Sequence, residues 1–243
     1  MKTSKGATIV IGALFLLFVG AFAAHGETYI PQKAIGAGAN WGNGKVYFFK
    51  GDHFVRYSAR PDLEEDLMGY RADPGYPKAI DKTTWPGMIW KDIDAVINMG
   101  NGKACFFKGG QFIRYDIKAD RADPGFPQAI NEQTWPGLPW TDGIDAAVYW
   151  GNGKIFFFKG GQYVRYDVEK NRTDSGYPKS INKRNWPGMI WTSGIDDVIF
   201  WGNGKAYFFK DYEYIRYDVN EDRADPGYPK QVNRQTWPGL VNW

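Results

Sequence analysis

Residues 144–167 read IDAAVYW-GNG-KIFFFK-GG-QYVRYD, and this stretch decides the fold. Three short runs rich in β-branched and aromatic residues alternate with glycine turns, a pattern that predicts antiparallel strands joined by hairpins. The middle run does not alternate apolar with polar residues, because Phe156, Phe157 and Phe158 stand together. Both faces of the resulting sheet must therefore be covered by neighbouring structure.

The same unit occurs four times along the chain. Each copy ends in Trp-Pro-Gly, and its third run carries Arg-Tyr, in a register of about 50 residues. The repeated positions are Trp85, Trp135, Trp186 and Trp237 for the tryptophan, and Arg56, Arg114, Arg165 and Arg216 for the arginine. A period near fifty indicates a propeller, solenoid or array, and covered sheet faces favour blades stacked around an axis. The sequence therefore predicts an all-β, four-bladed propeller with blades at about 34–90, 91–140, 141–191 and 192–243.

Three details complete this prediction. Each blade is expected to end in a proline-marked edge strand and one helical turn. The first blade carries about eight extra residues between Ala59 and Tyr70, which form either a binding loop or a plain surface insertion. Cys105 is the only cysteine, so no disulfide closes the ring, and aromatic residues, 17% of the chain, must supply the core.

The N-terminal segment predicts export. Residues 7–24 are uncharged and follow Lys2 and Lys5, and Ala21 and Ala23 have the spacing of a cleavage site. We therefore predict a signal peptide at 1–24, a segment at 25–33 and a secreted or exported (extracellular or periplasmic) protein, with an uncleaved membrane anchor as the alternative. Cleavage would remove two of the +3 formal charges. The remaining charge gives no support for nucleic-acid binding through a basic patch, so we expect no nucleic-acid partner, and no later segment is apolar enough to span a membrane.

One succession of motifs makes the comparison with a known family specific. It runs through Asp145-Ala146-Ala147, Gly153-Lys154, Phe157-Phe158-Lys159-Gly160, Tyr163-Val-Arg165-Tyr166, Gly176-Tyr-Pro178 and Trp186-Pro-Gly188. This succession resembles the hemopexin repeat, and it recurs over about residues 34–243. The resemblance implies a four-bladed propeller and a non-catalytic binding module. A single propeller without another domain is most similar to the plant seed albumin-2 type.

The first strand of each repeat is the main candidate for chemistry. Its residues are small and follow an acid, and four such strands around one axis would bring backbone carbonyls into rings, the hard-oxygen environment that Ca²⁺ or Na⁺ prefers. The resemblance implies two sets of carbonyl ligands. The first set is Gly36, Asp94, Asp145 and Asp196, and the second is Gly38, Val96, Ala147 and Val198. A channel filled by water alone is the alternative.

Haem and polyamines are the small ligands that the resemblance implies. The only histidines are His25, at the expected cleavage point, and His53, in a hairpin turn. Asp197 adds a carboxylate where the other repeats have alanine, which suits a polyamine in the channel. Asp197 and His53 are therefore the candidate ligand-binding residues, and the partner is an unidentified protein or small molecule. A structural or protein-interaction module, in which ions only stabilise the fold, is the alternative function.

The other repeated residues have structural explanations beside functional ones. The strand arginines form either an anion-binding ring or, with the aspartates of the Arg-x-Asp pairs, charges that join the blades. The tryptophans form either a stacking platform or inter-blade packing, and packing is favoured. Cys105 aligns with Tyr47, Phe156 and Tyr207 and is expected in the core. The chain has neither a phosphate-binding loop nor metal-spaced histidines, so we expect no enzyme activity.

Overall fold

The computed structural model describes residues 33–59 and 71–241. Nineteen strands in this part of the chain form four antiparallel sheets, which confirms the predicted all-β, four-bladed propeller. Within the described ranges there is no helix that could cross a membrane. The predicted signal peptide at 1–24, with most of the segment at 25–33, and the insertion at 60–70 lie outside the described residues.

Each blade has three main strands in the order of the sequence. The inner strands are β1 (Ala37–Asn40), β5 (Ala95–Asn98), β10 (Ala146–Tyr149) and β15 (Asp197–Phe200). The second strands are β2 (Lys45–Lys50), β6 (Lys103–Lys108), β11 (Lys154–Lys159) and β16 (Lys205–Lys210). The third strands are β3 (His53–Ser58), β7 (Gln111–Asp116), β12 (Gln162–Asp167) and β17 (Glu213–Asp218). Glycine or aspartate with positive φ turns each second strand into the third, as at Gly160 (φ 56°).

The outer edge of each blade is made of two-residue strands. Those beside the second half of the third strand are β8 (Arg121–Ala122), β13 (Arg172–Thr173) and β18 (Arg223–Ala224), and blade 1 has a single bridge between Tyr57 and Ala72 instead. The edge strands beside the first half are β4 (Lys78–Ala79), β9 (Gln128–Ala129), β14 (Lys179–Ser180) and β19 (Lys230–Gln231). The predicted helical turn is a single hydrogen-bonded turn, in which Trp186 donates to the carbonyl of Asn182 at 2.8 Å.

The core consists of four aromatic clusters, one between each pair of adjacent blades. Trp135 shows the arrangement: its ring meets Phe107 and Phe112 of blade 2 and Phe157 and Tyr166 of blade 3, with centroids 5.3–5.6 Å apart. The repeated tryptophans are nearly fully buried, so they are packing residues and not an exposed stacking platform. Edge-to-face contacts of this kind add to the free energy gained by burying the rings.

The repeated arginines are held by carboxylates of their own blade. Arg56 donates to Asp73 at 2.6 Å and Arg165 donates to Asp174 at 2.6 Å, and Lys154 also reaches Asp174. Blades 2 and 4 repeat these pairs. The prediction that these charges join blades is wrong, because the β-hairpin brings the aspartate beside the third strand of the same sheet. Because each repeated arginine is already paired with an aspartate, the structure does not favour an anion-binding ring of arginines.

The ring closes between blades 4 and 1 through side-chain packing and hydrogen bonds. Trp237 packs against Phe209 of blade 4 and against Phe48 of blade 1, and the carbonyl that follows it, on Pro238, accepts hydrogen bonds from the Tyr57 hydroxyl and the Ala72 amide. On the other side of the seam, the Ala34 amide donates to the carbonyl of Asp211 in blade 4 at 2.8 Å. The single cysteine, Cys105, is buried and free.

Candidate functional site

The four inner strands lie side by side around the propeller axis, each beside the inner strands of both neighbouring blades. The residue after each inner strand donates its N–H to the second strand, as Trp41 does to Lys45 at 2.7 Å. In an antiparallel pair, only every second residue directs its N–H and C=O groups to the neighbouring strand. The backbone of Ala39 therefore bonds to the second strand, whereas the backbone of Gly38 faces the axis. Val96, Ala147 and Val198 hold the same register, so the second predicted set presents its backbone to the channel at one depth.

Each residue of the first predicted set lies two positions before its counterpart in the second set, immediately before the inner strand begins. Gly36 donates to the carbonyl of Phe49, the residue that pairs with Ala37, so two consecutive residues oppose one partner as in a β-bulge. Asp94, Asp145 and Asp196 repeat this bond in their blades. A Cβ on Gly36 would lie 3.1 Å from the Phe49 carbonyl oxygen and 3.3 Å from that of Ile93.

The acids of the first set use their side chains for structure. The Asp94 carboxylate accepts from the Gly109 amide at 2.7 Å, and Asp145 accepts from Gly160 at 2.7 Å, so each acid holds the following hairpin turn. Asp196 accepts from the Asp211 amide and pairs with Lys33 at 3.1 Å. These carboxylates therefore have structural partners, and the predicted ligands of the first set are the backbone carbonyls.

A polar cavity of about 380 Å³ lies at the end of the channel where the inner strands begin. Gly36, Asp94 and Asp145 line it, together with Lys33 and the Lys159–Asp142 ion pair. The cavity thus brings three members of the first set together, with Asp196 beside it through its ion pair to Lys33.

A second cavity of about 240 Å³ lies at the opposite end, and all four inner strands line it. It reaches down to the second set, Gly38, Val96, Ala147 and Val198. Its mouth has a ring of four side chains that the sequence analysis missed: Asn40, Asn98, Tyr149 and Phe200. The Asn40 side chain donates to the Trp201 carbonyl at 2.8 Å, and Asn98 donates to the Asn40 carbonyl at 3.2 Å. The two amides and two aromatic rings occupy the last position of the four inner strands. A comparison of the repeats at that position could have identified this ring from the sequence.

Asp197, the candidate ligand-binding residue of blade 4, begins β15 and lines neither axial cavity. It is 0% exposed, and neither carboxylate oxygen has a hydrogen-bond partner among the described residues. Ala37, Ala95 and Ala146 occupy its position in the other blades. Burial raises the pKa of the Asp197 carboxyl well above its usual range, because the charged form loses its water.

The remaining candidates lie away from the channel. His53 begins β3 in a hairpin turn, pairs with Asp52 at 2.6 Å, and lines neither axial cavity. Cys105 is buried in the cluster between blades 2 and 3, and burial raises the pKa of its thiol to about 12. Such a thiol stays protonated and is a poor nucleophile. In the described part of the chain, histidine, cysteine and acidic side chains form no cluster suited to a metal.

The four sequence repeats match a known family. The sequence profile of the hemopexin family matches residues 38–88, 93–139, 144–189 and 195–241. The chain belongs to the hemopexin family. Each hemopexin repeat coincides with one blade, so the resemblance stated from the sequence is confirmed.

Relatives similar in sequence include stromelysin-3 and matrix metalloproteinase-21. Stromelysin-3 of Xenopus laevis is 32% identical over 194 residues, which is 79% of this chain and 36% of the relative. Matrix metalloproteinase-21 of Mus musculus is 33% identical over 111 residues, which is 42% of this chain and 19% of the relative. The chain therefore spans well under half the length of these relatives.

Solved plant proteins with the hemopexin fold match nearly their whole length. A hemopexin-fold protein from cow pea superposes with a TM-score of 0.71 at 22% identity, covering 86% of this chain and 97% of that one. A seed albumin from Lathyrus sativus gives a TM-score of 0.68 at 25% identity, covering 85% and 95%. A plant lectin with two metal binding sites, from Cicer arietinum, gives 0.68 at 24% identity, covering 85% and 96%. The similarity to single-propeller seed albumins is thus confirmed.

Proposed function

We propose that this propeller is an exported, non-catalytic binding module whose axial channel holds Ca²⁺ or Na⁺ through backbone carbonyls. The observation that carries the proposal is the common register of the four inner strands, which directs the backbone of Gly38, Val96, Ala147 and Val198 to the axis at one depth. Carbonyl oxygens with water completing six to eight ligands form a suitable site for such cations.

The two ends of the channel support this proposal differently. The polar end contains Gly36, Asp94 and Asp145, whose carbonyls form the first ligand set, and its aspartates add negative charge near an entering cation. The other end is largely apolar, with amides and aromatic rings at its mouth. A cation would therefore enter from the polar end, and the apolar mouth would limit its exit. A lectin of the same fold has two metal binding sites.

Metal analysis combined with thermal denaturation tests the proposal. The purified protein is expected to contain Ca²⁺ or Na⁺, and a chelator is expected to lower the Tm of a Ca²⁺ form. At a cation concentration 100-fold above Kd the bound ion stabilises the fold by about 2.7 kcal/mol, which is about 5–11 °C for a domain of this size. The proposal would be contradicted if the purified protein contained no metal and its Tm changed with neither chelator nor added cation.

A small organic ligand is a further part of the proposed function. A polyamine suits a channel with carbonyl oxygens and with Asp94 and Asp145 at its polar end, because ammonium groups donate hydrogen bonds to carbonyl and carboxylate oxygens. Haem has one described histidine available, His53, which is paired with Asp52 outside the axial cavities. Titration followed by calorimetry for spermine, and by the Soret band for haem, tests each ligand. Absence of heat or of a spectral shift would remove the respective ligand from the proposal.

A protein-interaction module is the second candidate function. Ile89 and Ile190 occupy the same position after Trp-Pro-Gly in blades 1 and 3 and are 65% and 52% exposed. Exposed apolar side chains at equivalent sites of a rigid scaffold provide contact points for a partner. Chelation separates the two candidates: partner binding that survives removal of the ion would favour the interaction module, with ions stabilising the blades.

A further inference from the structure

The aromatic cluster between blades 2 and 3 lacks two rings that the equivalent clusters contain. Between blades 1 and 2, the ring centroids of Trp41 and Tyr47 lie 5.2 Å apart, and these rings meet Trp85 at 5.6 and 5.4 Å. The clusters between blades 3 and 4 and between blades 4 and 1 repeat this group of three rings. In blade 2 the two positions hold Met99 and Cys105 instead. The repeated tryptophan of blade 2 therefore lacks these two ring neighbours.

A cavity of about 400 Å³ lies at this place. Its apolar wall consists of side chains from the incomplete cluster, which are Met99, Cys105, Phe112, Phe126 and Trp135. The cavity shares no lining residue with the two axial cavities. Its volume lies within the range of about 300–1,000 Å³ that is common for ligand pockets. Because the Met99 side chain is unbranched and flexible, this wall can adapt to a bound ring.

The polar side of the cavity carries a guanidinium with unused donors. In blade 1, burial raises the pKa of Tyr47, and the positive charge of Arg56 and a hydrogen bond from it oppose that rise. Cys105 offers no such oxygen to Arg114, the equivalent arginine of blade 2. Arg114 donates from Nε to Asp123, and its terminal nitrogens make no hydrogen bond within the described part of the chain. Its side chain is 49% exposed, compared with 33% for Arg56.

The charges around the cavity make Arg114 the donor for an entering anion. Lys103 also lines the cavity, but its ammonium is bonded to Asp116 and Asp123. Gln128 occupies the position where blades 1, 3 and 4 have lysine. None of the described residues that line the cavity is acidic. An anion therefore meets the Arg114 guanidinium without a carboxylate in the surrounding wall.

We propose that this cavity at the junction of blades 2 and 3 binds a small aromatic carboxylic acid in its ionised form. The aromatic ring of the ligand takes the place beside Trp135 that Tyr47 takes beside Trp85, where edge-to-face contacts are favourable. The ligand carboxylate accepts hydrogen bonds from the terminal nitrogens of Arg114, because a planar guanidinium matches its two oxygens. This site is separate from the axial channel and does not depend on a bound cation.

Calorimetric titration of the full chain with phenylacetate and with neutral phenylacetamide tests the ligand class. Phenylacetate is expected to bind, and phenylacetamide at least about tenfold more weakly, because hydrogen bonds to a charged group are the stronger ones. Arg114→Gln should weaken phenylacetate binding by a similar factor. Arg165→Gln is the matched control: Arg165 pairs with Asp174 as Arg114 pairs with Asp123, but it does not line the cavity, so binding should not change.

Filling the cavity tests its position. Cys105→Tyr combined with Met99→Trp introduces the residues that blades 1 and 4 have, and it should abolish phenylacetate binding without lowering the Tm. Cys105→Ala keeps the cavity open and should bind phenylacetate like the original protein, which distinguishes the cavity from its thiol. Circular dichroism and Tm establish that each variant is folded. The Arg114→Gln comparison changes no core residue, so it tests the site even if the double variant fails to fold.

Three outcomes would overturn the inference. Absence of phenylacetate binding at millimolar concentration removes the ligand class. Equal affinity for phenylacetate and phenylacetamide, or unchanged affinity in Arg114→Gln, removes the contact between carboxylate and guanidinium. Undiminished binding by a folded double variant places the ligand outside this cavity. Chelator treatment is expected to leave phenylacetate binding unchanged, so this site and the cation channel are tested separately.

Discussion

Trp237→Ala tests whether the ring closes as the structure indicates. Trp237 is 0% exposed and contacts Phe209 and Tyr214 of blade 4 and Phe48 of blade 1 at centroid distances of 5.1–5.6 Å. Replacing a buried tryptophan with alanine removes these contacts and leaves a cavity, at a cost of about 3–5 kcal/mol. In a domain of 150–250 residues this loss lowers the Tm by about 6–20 °C.

Two comparisons distinguish ring closure from ordinary core packing. Trp135→Ala removes an equivalent tryptophan between blades 2 and 3, so its free-energy cost should be similar. Hydrogen exchange should differ: Trp237→Ala should raise exchange in β2 of blade 1 and β16 of blade 4, and Trp135→Ala should raise it in β6 and β11. Trp237→Phe should cost less than alanine, because the indole N–H has no hydrogen-bond partner among the described residues.

Urea denaturation and amide exchange provide the two measurements. A Trp237→Ala variant that loses less than about 1 kcal/mol would refute the packing argument, since it lies below the range for large-to-small core substitutions. A loss of the expected size with exchange raised uniformly in all four blades would refute the local closing role.

Three further predictions address the turns, the seam and the first ligand set. The Asp81 carboxylate accepts hydrogen bonds from the Thr83 hydroxyl and from the Thr83 and Thr84 amides, which lowers its pKa to about 2. Its stabilising contribution is therefore complete above the ordinary pKa of 3.8 and is lost as the pH falls toward 2. Asp81→Asn should weaken the pH dependence of the free energy of unfolding in urea over that range. Gly38→Ala should destabilise the original protein but cost less in the Asp197→Ala background, because the added methyl group meets Asp197 Oδ2 at 3.0 Å; additive losses in denaturation would contradict this coupling. Asp94→Ala should cost about 1–2 kcal/mol through the lost Gly109 hydrogen bond, yet metal analysis should find the cation retained, because the ligand is the backbone carbonyl; loss of the cation in a folded variant would count against carbonyl ligation.

The repeat pattern predicted the fold closely. Glycine turns and aromatic runs such as Phe156 to Phe158 are local signals, and they were sufficient for the strands, their hairpins and the covered sheet faces. The tryptophan before Pro-Gly in every repeat likewise indicated inter-blade packing, and the contacts of Trp186 with Phe158 and Phe208 confirm it. Periodicity is informative here because each blade repeats one local solution four times.

The partners of charged side chains were not predictable in the same way. Asp174 bonds Arg165 because the chain returns beside its own third strand, and Asp145 bonds Gly160 because a hairpin of fixed length separates them. Both partners depend on turn geometry and not on composition. The sequence marked Asp197 as exceptional, but its burial, its unpartnered oxygens and the facing Gly38 became visible only when blades 4 and 1 met.

The seam between blades 4 and 1 differs mechanically from the other three interfaces. Those three join blades that follow each other in the chain, so a pull along the backbone meets a covalent linker. Between Ala34 and Trp237 the load would pass through side-chain packing and a few hydrogen bonds. The seam therefore acts as a clasp, and it is the interface expected to part first under tension.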